Sequence, residues 1–314
     1  MMTQELKRKR DLGQFFTPIE VVEFIYDMLT ILLKKDKKWN NGKHPSIIDP
    51  ACGDGVFLKV ALDKGITLPK YIFGIDVDES VKQKWEEINL LKSFGSHAEL
   101  DNHFYHQNGL LPLPDKTLRY KKGGLQEFDL VVGNPPYGGL GIDLSKNGRN
   151  TFEALKDYQV LSYRGAVKKV NHTPEGQKEM FLVREPQATL SLKTYDTDIM
   201  KSVPIEVYFV ERFIQLAKPG GHIAIIIPEG ILANATLSYV RKYIFDNVKV
   251  EAVISLPRET FKLAGTSAKT SILLLTKPLQ EGKIDLNYPV FLADVSDLQA
   301  FNNVTKYYKE IIND

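Results

Sequence analysis

Two stretches of the chain combine residue types that can do chemistry. In DLVVGNPPYGG, residues 129–139, an apolar strand pattern runs into an asparagine, two prolines and a tyrosine. Consecutive prolines remove two backbone donors and stiffen the chain where a strand must give way to a turn. A loop offering one side-chain amide, bare carbonyls and a ring suits an exocyclic amino group on an aromatic base. Such a nitrogen is a poor nucleophile, because its lone pair is delocalised into the ring. Accepting its two hydrogens on the Asn134 side-chain oxygen and the Pro135 carbonyl biases it toward tetrahedral geometry and aims the lone pair at a methyl donor. Pro135 and Pro136 fix the carbonyl directions, and Tyr137 can stack on the base, a contact worth about 1–3 kcal/mol. Holding nucleophile and methyl group in line contributes about 7–11 kcal/mol in well-oriented systems. No strong general base is needed beforehand, since the amino group becomes acidic once alkylated. Taken alone, NPPY also reads as a rigid strand-to-helix turn.

DPACGDGVFL, residues 49–58, sets an acid at a strand end and two glycines, Gly53 and Gly55, at the opening of a helix. Glycine lets backbone approach a ligand, and a helix N-terminus presents free N–H groups. The pattern is not GxGxxG, and Asp49 with Asp54 would repel a pyrophosphate. Carboxylates here suit a cationic ligand instead, one carrying an ammonium and a sulfonium. Asp76, at the end of the next strand in GIDVDE and 27 residues after Asp49, stands where an acid commonly accepts hydrogen bonds from ribose hydroxyls. Each motif alone also fits a glycine turn or a helix-capping acid. Together they point to an adenosine-type cofactor.

These residues need a scaffold that gathers strand ends. Thr17-Pro18 starts a helical pattern, with Thr17 as its cap and Val21, Val22, Phe24, Ile25, Met28, Leu29 and Leu32 at helical spacing. Strands are expected at 46–49, 71–76, 103–108, 128–133, 222–227, 250–256 and 270–277, the last strong one. Helices are expected at 56–64, from 79 to about 93, at 205–217 up to the stop signal KPGG, and at 236–246. Alternation of this kind predicts a doubly wound α/β sheet, whose ligands bind outside the carboxyl ends of the strands. Both motifs fall there. Residues 138–203 break the rhythm, with EMFLV as their one apolar cluster, and read as an insertion at the mouth of the site. A connection of that length is usually functional or partly disordered.

Composition narrows the field further. The 43% hydrophobic and 25% charged fractions are those of an ordinary globular protein. Formal charge is +2, so any polyanion-binding face must come from local clustering. Lys7–Arg10, Lys34-Lys35 and Lys37-Lys38 are such clusters, and read first as solvated terminal and helix-end charge. Cys52 is the only cysteine, which excludes an intrachain disulfide and a thiolate zinc site, and the six histidines show no HExxH spacing. No metal is expected. No apolar run has the length of a membrane span and the N-terminus is basic and polar, so a cytoplasmic location is the default.

In order along the chain, LGQFFTP (12–18), DPACGDGVFL, GIDVDE and DLVVGNPPY resemble the motifs of N6-adenine DNA methyltransferases, particularly type I modification subunits and related single-chain type II enzymes. KPGGHIAIIIPEGIL (218–232) and LPRETFKLAGTSAKTSILLLTK (256–277) are similar to later elements of the type I subunits. NPPY is shared with methyltransferases acting on protein glutamine or RNA bases; its combination with GQFFTP is far more specific to DNA adenine. The resemblance implies a Rossmann-like sheet, mostly parallel with a reversed strand near the C-terminus. It also implies S-adenosyl-L-methionine as donor and a flipped adenine as acceptor. Thr17, Asp49, Ala51 and Asp76 match family positions around the cofactor. Asn108, in HQNGLL, falls where a side chain contacts the cofactor adenine, and Phe261 where an aromatic packs on the extruded base or simply fills the core. A catalytic domain is expected over 1–295, followed by a C-terminal helix over 296–314.

The family pattern also raises the question of target reading. Type I subunits carry a helical domain ahead of the GQFFTP segment, whereas eleven residues precede Leu12 here, and no self-contained target-reading domain is visible. Residues 138–203, a separate specificity subunit, or a longer protein of which this is the catalytic domain would supply it; a restriction subunit is a further expected partner. Two rival readings keep the NPPY chemistry or the pocket alone: a methyltransferase for RNA bases or protein glutamine, and an assembly subunit that binds cofactor without turnover. The absent GxGxxG speaks against a nicotinamide dehydrogenase.

Overall fold

The computed structural model describes residues 16–36, 42–87, 90, 103–113, 127–137, 151–165, 197–262, 268–280, 284–285 and 287–313. Among the described residues eight strands form a single sheet: β1 (Ile47–Asp49), β2 (Ile72–Asp76), β3 (Phe104–His106), β4 (Phe128–Gly133), β5 (Ala217–Pro228), β6 (Lys249–Ser255), β7 (Thr270–Thr276) and β8 (Phe291–Asp294). Their order is β3-β2-β1-β4-β5-β7-β6-β8. β7 runs antiparallel to both β5 and β6, and the remaining pairings are parallel. The doubly wound sheet with one reversed strand near the C-terminus is as the sequence led us to expect.

Period-two alternation explains how the apolar run of β5 is buried on both faces. Ala224 and Ile226 point into one core layer, while Ile223, Ile225 and Ile227 point into the other. The first layer is covered by α1 (Ile19–Lys35), α2 (Val56–Asp63) and α6 (Phe301–Asn313), with Phe24 and Phe301 stacked at 4.1 Å. α3 (Val81–Glu87) lends Trp85 to the same layer. The second layer is covered by α4 (Ile205–Leu216) and α5 (Ser238–Asn247).

Three local readings change. Thr17 does not cap α1; Pro18, with extended backbone at ψ 139°, is the N-cap, and the Thr17 hydroxyl turns elsewhere. KPGG ends α4 but lies inside β5, which begins at Ala217. β8 was not anticipated, because a four-residue edge strand half-buried on one side and exposed on the other carries a weak pattern. Within 138–203, Leu155, Tyr158, Val160 and Leu161 pack into the second core layer, an apolar set scattered among polar neighbours. EMFLV, the basic clusters at 7–10 and 37–38 and residues 12–15 of the GQFFTP segment lie outside the described residues.

Register places the strand ends side by side. Asp49 is level with Gly74, Asp76 with His106, and Gly133 with Ile225. β1 and β4 flank the switch in strand order, the place where ligands of such sheets bind. Among the described residues no helix is long and apolar enough to cross a membrane.

Candidate active site

The acid loop leaves β1 at Asp49 and enters α2 at Val56. Four backbone N–H groups organise it. Ala51 donates to Asp49 Oδ1 and Gly53 to Asp76 Oδ2, both at 2.9 Å. Cys52 donates to the Ile75 carbonyl at 2.9 Å and Gly55 to the Cys52 carbonyl at 2.8 Å. Gly55 has φ +80°, and a Cβ there would lie 2.7 Å from Trp85 Nε1, so both backbone and space require glycine. The Asp76 carboxylate bridges the loop to its own strand end, its Oδ1 accepting the Asp78 N–H at 2.8 Å.

Electrostatically the loop and the end of β2 gather three acids, Asp49, Asp54 and Asp76. Burial raises the carboxyls of Asp49, Asp54 and Asp76 above the usual range; backbone N–H groups work against that rise, and the neighbouring acids around Asp49 and Asp76 add to it. Lys84 offsets part of this at Asp54 and Asp76, and its ammonium sits 4.2 Å from the centre of the Phe16 ring. A pocket that penalises its own negative charge gains most from a ligand carrying positive charge.

The proline loop abuts this pocket. At Gly133, with φ +152°, a Cβ would come within 2.5 Å of Asp49 Oδ1, so the end of β4 runs against the acid. The next residue, Asn134, donates from Nδ2 to the Thr17 hydroxyl at 3.1 Å. Pro135 is buried and Pro136 half-buried. Tyr137 is 4% exposed. Burial pushes its phenol far up, the Asn134 side chain works against that shift, and Glu206 in the first turn of α4 adds to it. The backbone near Asn108 closes the third side: a Cβ on Gly109 would fall 1.9 Å from the Pro50 carbonyl oxygen.

Thr17, Asp49, Ala51, Gly53, Gly55, Asp76, Asn108 and the 134–137 loop therefore share the carboxyl edge of the sheet, linked by the contacts above. Phe261 follows β6 at that edge, but its ring is 1% exposed and belongs to the first core layer. Sequence reasoning missed Trp85, Lys84, Glu206 and Arg212. The last two had a signal: charged residues inside the apolar run IEVYFVERF, where a buried helix leaves no solvent-facing stripe. A separate cavity of about 510 Å³, near Lys34, His44, Pro45 and Lys64, contains none of these residues.

The family model described as N-6 DNA Methylase matches residues 2–160 and 191–310. The methylase subunit of the type I restriction enzyme EcoEI from Escherichia coli is 23% identical over 288 residues, which are 87% of this chain and 44% of the relative. The chain thus spans less than half the length of that relative. Among solved structures, the DrdV–DNA complex superimposes with a TM-score of 0.62 at 16% identity, over 98% of this chain and 30% of that one. A Listeria monocytogenes protein described as a class I S-adenosylmethionine-dependent methyltransferase gives a TM-score of 0.57 at 21% identity, over 95% of this chain and 71% of that one. Likenesses at this identity concern the fold.

Proposed function

The chain belongs to the N-6 DNA methylase family, and from that premise we propose that it methylates the exocyclic N6 amino group of a flipped adenine in DNA with S-adenosyl-L-methionine as donor. The observation that carries this reading is the junction of the two loops, with Gly133 pressed on Asp49 and Asn134 held by Thr17. The acid pocket fits the donor. Asp49 and Asp54 suit the ammonium and sulfonium charges of the donor; Asp76, whose oxygens each keep a lone pair beyond their backbone bond, suits ribose hydroxyls; Asn108 suits the adenine. When bound, the donor supplies a methyl group made electrophilic by its sulfonium.

The chain's own residues do the rest. The Thr17 hydroxyl fixes the Asn134 amide by its nitrogen, which aims the oxygen away from Thr17 as an acceptor. That oxygen and the Pro135 carbonyl take the two hydrogens of the base nitrogen and localise its lone pair. Tyr137 stacks on the base after leaving its covered position beside Asn134 and Glu206. Extruding the adenine costs a few kcal/mol, which stacking and pocket contacts offset. DNA is the proposed substrate, a separate specificity subunit the proposed reader of the target sequence, and a restriction subunit a further proposed partner in a cytoplasmic restriction-modification system.

Asn134→Ala and Thr17→Val test the assignment. Asn134→Ala should lower kcat about a hundredfold or more, as loss of one preorganised polar contact does. Thr17→Val, which removes only the bond that orients the amide, should lower it about tenfold. Cofactor affinity, measured by calorimetry, should stay near wild type in both. Loss of affinity in Thr17→Val with kcat preserved would assign Thr17 to the cofactor instead. The same result in a folded Asn134→Ala protein would remove the catalytic role of the loop.

A further inference from the structure

The loop Asn108–Leu111, which follows β3, is held more elaborately than a surface turn needs. Each of its last three carbonyls accepts from a buried side chain. Arg212, on α4, donates from Nε to Gly109 at 2.9 Å and from Nη2 to Leu111 at 2.7 Å. The Tyr158 hydroxyl donates to the carbonyl between them, Leu110, at 2.8 Å. Asn108 is fixed by the same frame: its Oδ1 accepts the Leu110 N–H at 3.0 Å and its Nδ2 donates to the Thr151 hydroxyl at 3.3 Å. Next to Arg212, the Glu211 carboxylate accepts the N–H groups of Gln159 and Val160, each at 2.7 Å. Arg212, Glu211, Tyr158 and Thr151 are all buried.

Burying an arginine and a glutamate is costly unless their hydrogen bonds are met. Packing alone would be served by apolar residues on α4. What the guanidinium adds is a planar fork that sets two carbonyls at once, with less freedom than any lysine contact. The loop is wedged between this fork and the acid loop, where Gly109 passes the Pro50 carbonyl too closely for any side chain.

We infer that Arg212 and Tyr158 are positioning residues for the base of the adenosine cofactor, acting through the 109–111 carbonyls on Asn108. Through Thr151 and Tyr158 they also make the segment after the proline loop part of the cofactor pocket's wall. This rests on the cofactor reading above.

The test compares, by calorimetry on the full chain, S-adenosylhomocysteine with S-inosylhomocysteine, whose base carries a carbonyl in place of the amino group. Arg212→Lys keeps the charge and loses the fork; Tyr158→Phe removes one hydroxyl and settles the matter if the first variant does not fold. Wild type should prefer the adenine compound. Each variant should weaken that compound about tenfold and the inosine compound clearly less, so that discrimination narrows. Equal weakening of both compounds, the mark of a merely structural role, overturns the inference, as does unchanged affinity in both variants. A wild type that binds neither compound removes the cofactor reading, and this inference with it.

Discussion

On the proposed reading the Asn134 amide serves an amino group only if its oxygen faces the base; its Nδ2 donates to the Thr17 hydroxyl, which leaves the oxygen on the side away from Thr17. Charge sets the other requirement. Asp49, Asp54 and Asp76 are raised above the ordinary carboxylate range, chiefly by burial. In the unfolded chain such groups titrate near about 3.9. Because the folded state penalises their ionised form, the penalty is present in full above the raised values. It is relieved as pH falls through them toward the unfolded value. A cationic ligand acts oppositely, favouring the ionised form. The thermal shift produced by S-adenosylmethionine, measured against ligand-free protein, should therefore shrink as pH falls through the raised values of these carboxyls. S-adenosylhomocysteine, which lacks the sulfonium charge, should show a weaker dependence. Identical pH profiles for the two ligands would mean that the acids do not respond to the sulfonium charge.

At the scale of elements, the turn from β1 into α2 is the part least tolerant of change. Gly55→Ala adds a side chain at φ +80° and sets its Cβ against Trp85. A left-handed residue costs about 1–2 kcal/mol before any clash, so a loss of about 2–3 kcal/mol in urea denaturation is expected. A loss under about 0.5 kcal/mol, the size of an ordinary surface change, would show that the turn relaxes freely. The sequence made most of these elements legible because β4, β5 and β7 hold the apolar runs LVV, IAIII and ILLL, and α1 keeps helical spacing. β8 escaped notice because this edge strand half-buries only one face. The core contribution of Leu155, Tyr158, Val160 and Leu161 escaped because three of its four positions are separated by charged or polar residues. Of the site, the two loops could be read from spacing and chemistry. The Thr17–Asn134 bond and the Arg212 fork could not, since they join residues 117 and more than 100 positions apart.

For the whole molecule, the sheet acts as a frame whose carboxyl edge collects four separate loops at the switch in strand order. Two covered faces hold that frame rigid, so the loops differ in chemistry without moving the strand ends. One helix, α4, reaches the proline loop through Glu206 and the 109–111 loop through Arg212. The proline loop and the 109–111 loop are thereby tied to one helix. The most direct measurement is transfer of labelled methyl from S-adenosylmethionine to unmethylated DNA, alone and with a specificity subunit, followed by digestion to nucleosides. The label should appear as N6-methyladenine with wild type and be absent with Asn134→Ala. Label in another nucleoside, in RNA or protein only, or undiminished with Asn134→Ala, would contradict the proposed function.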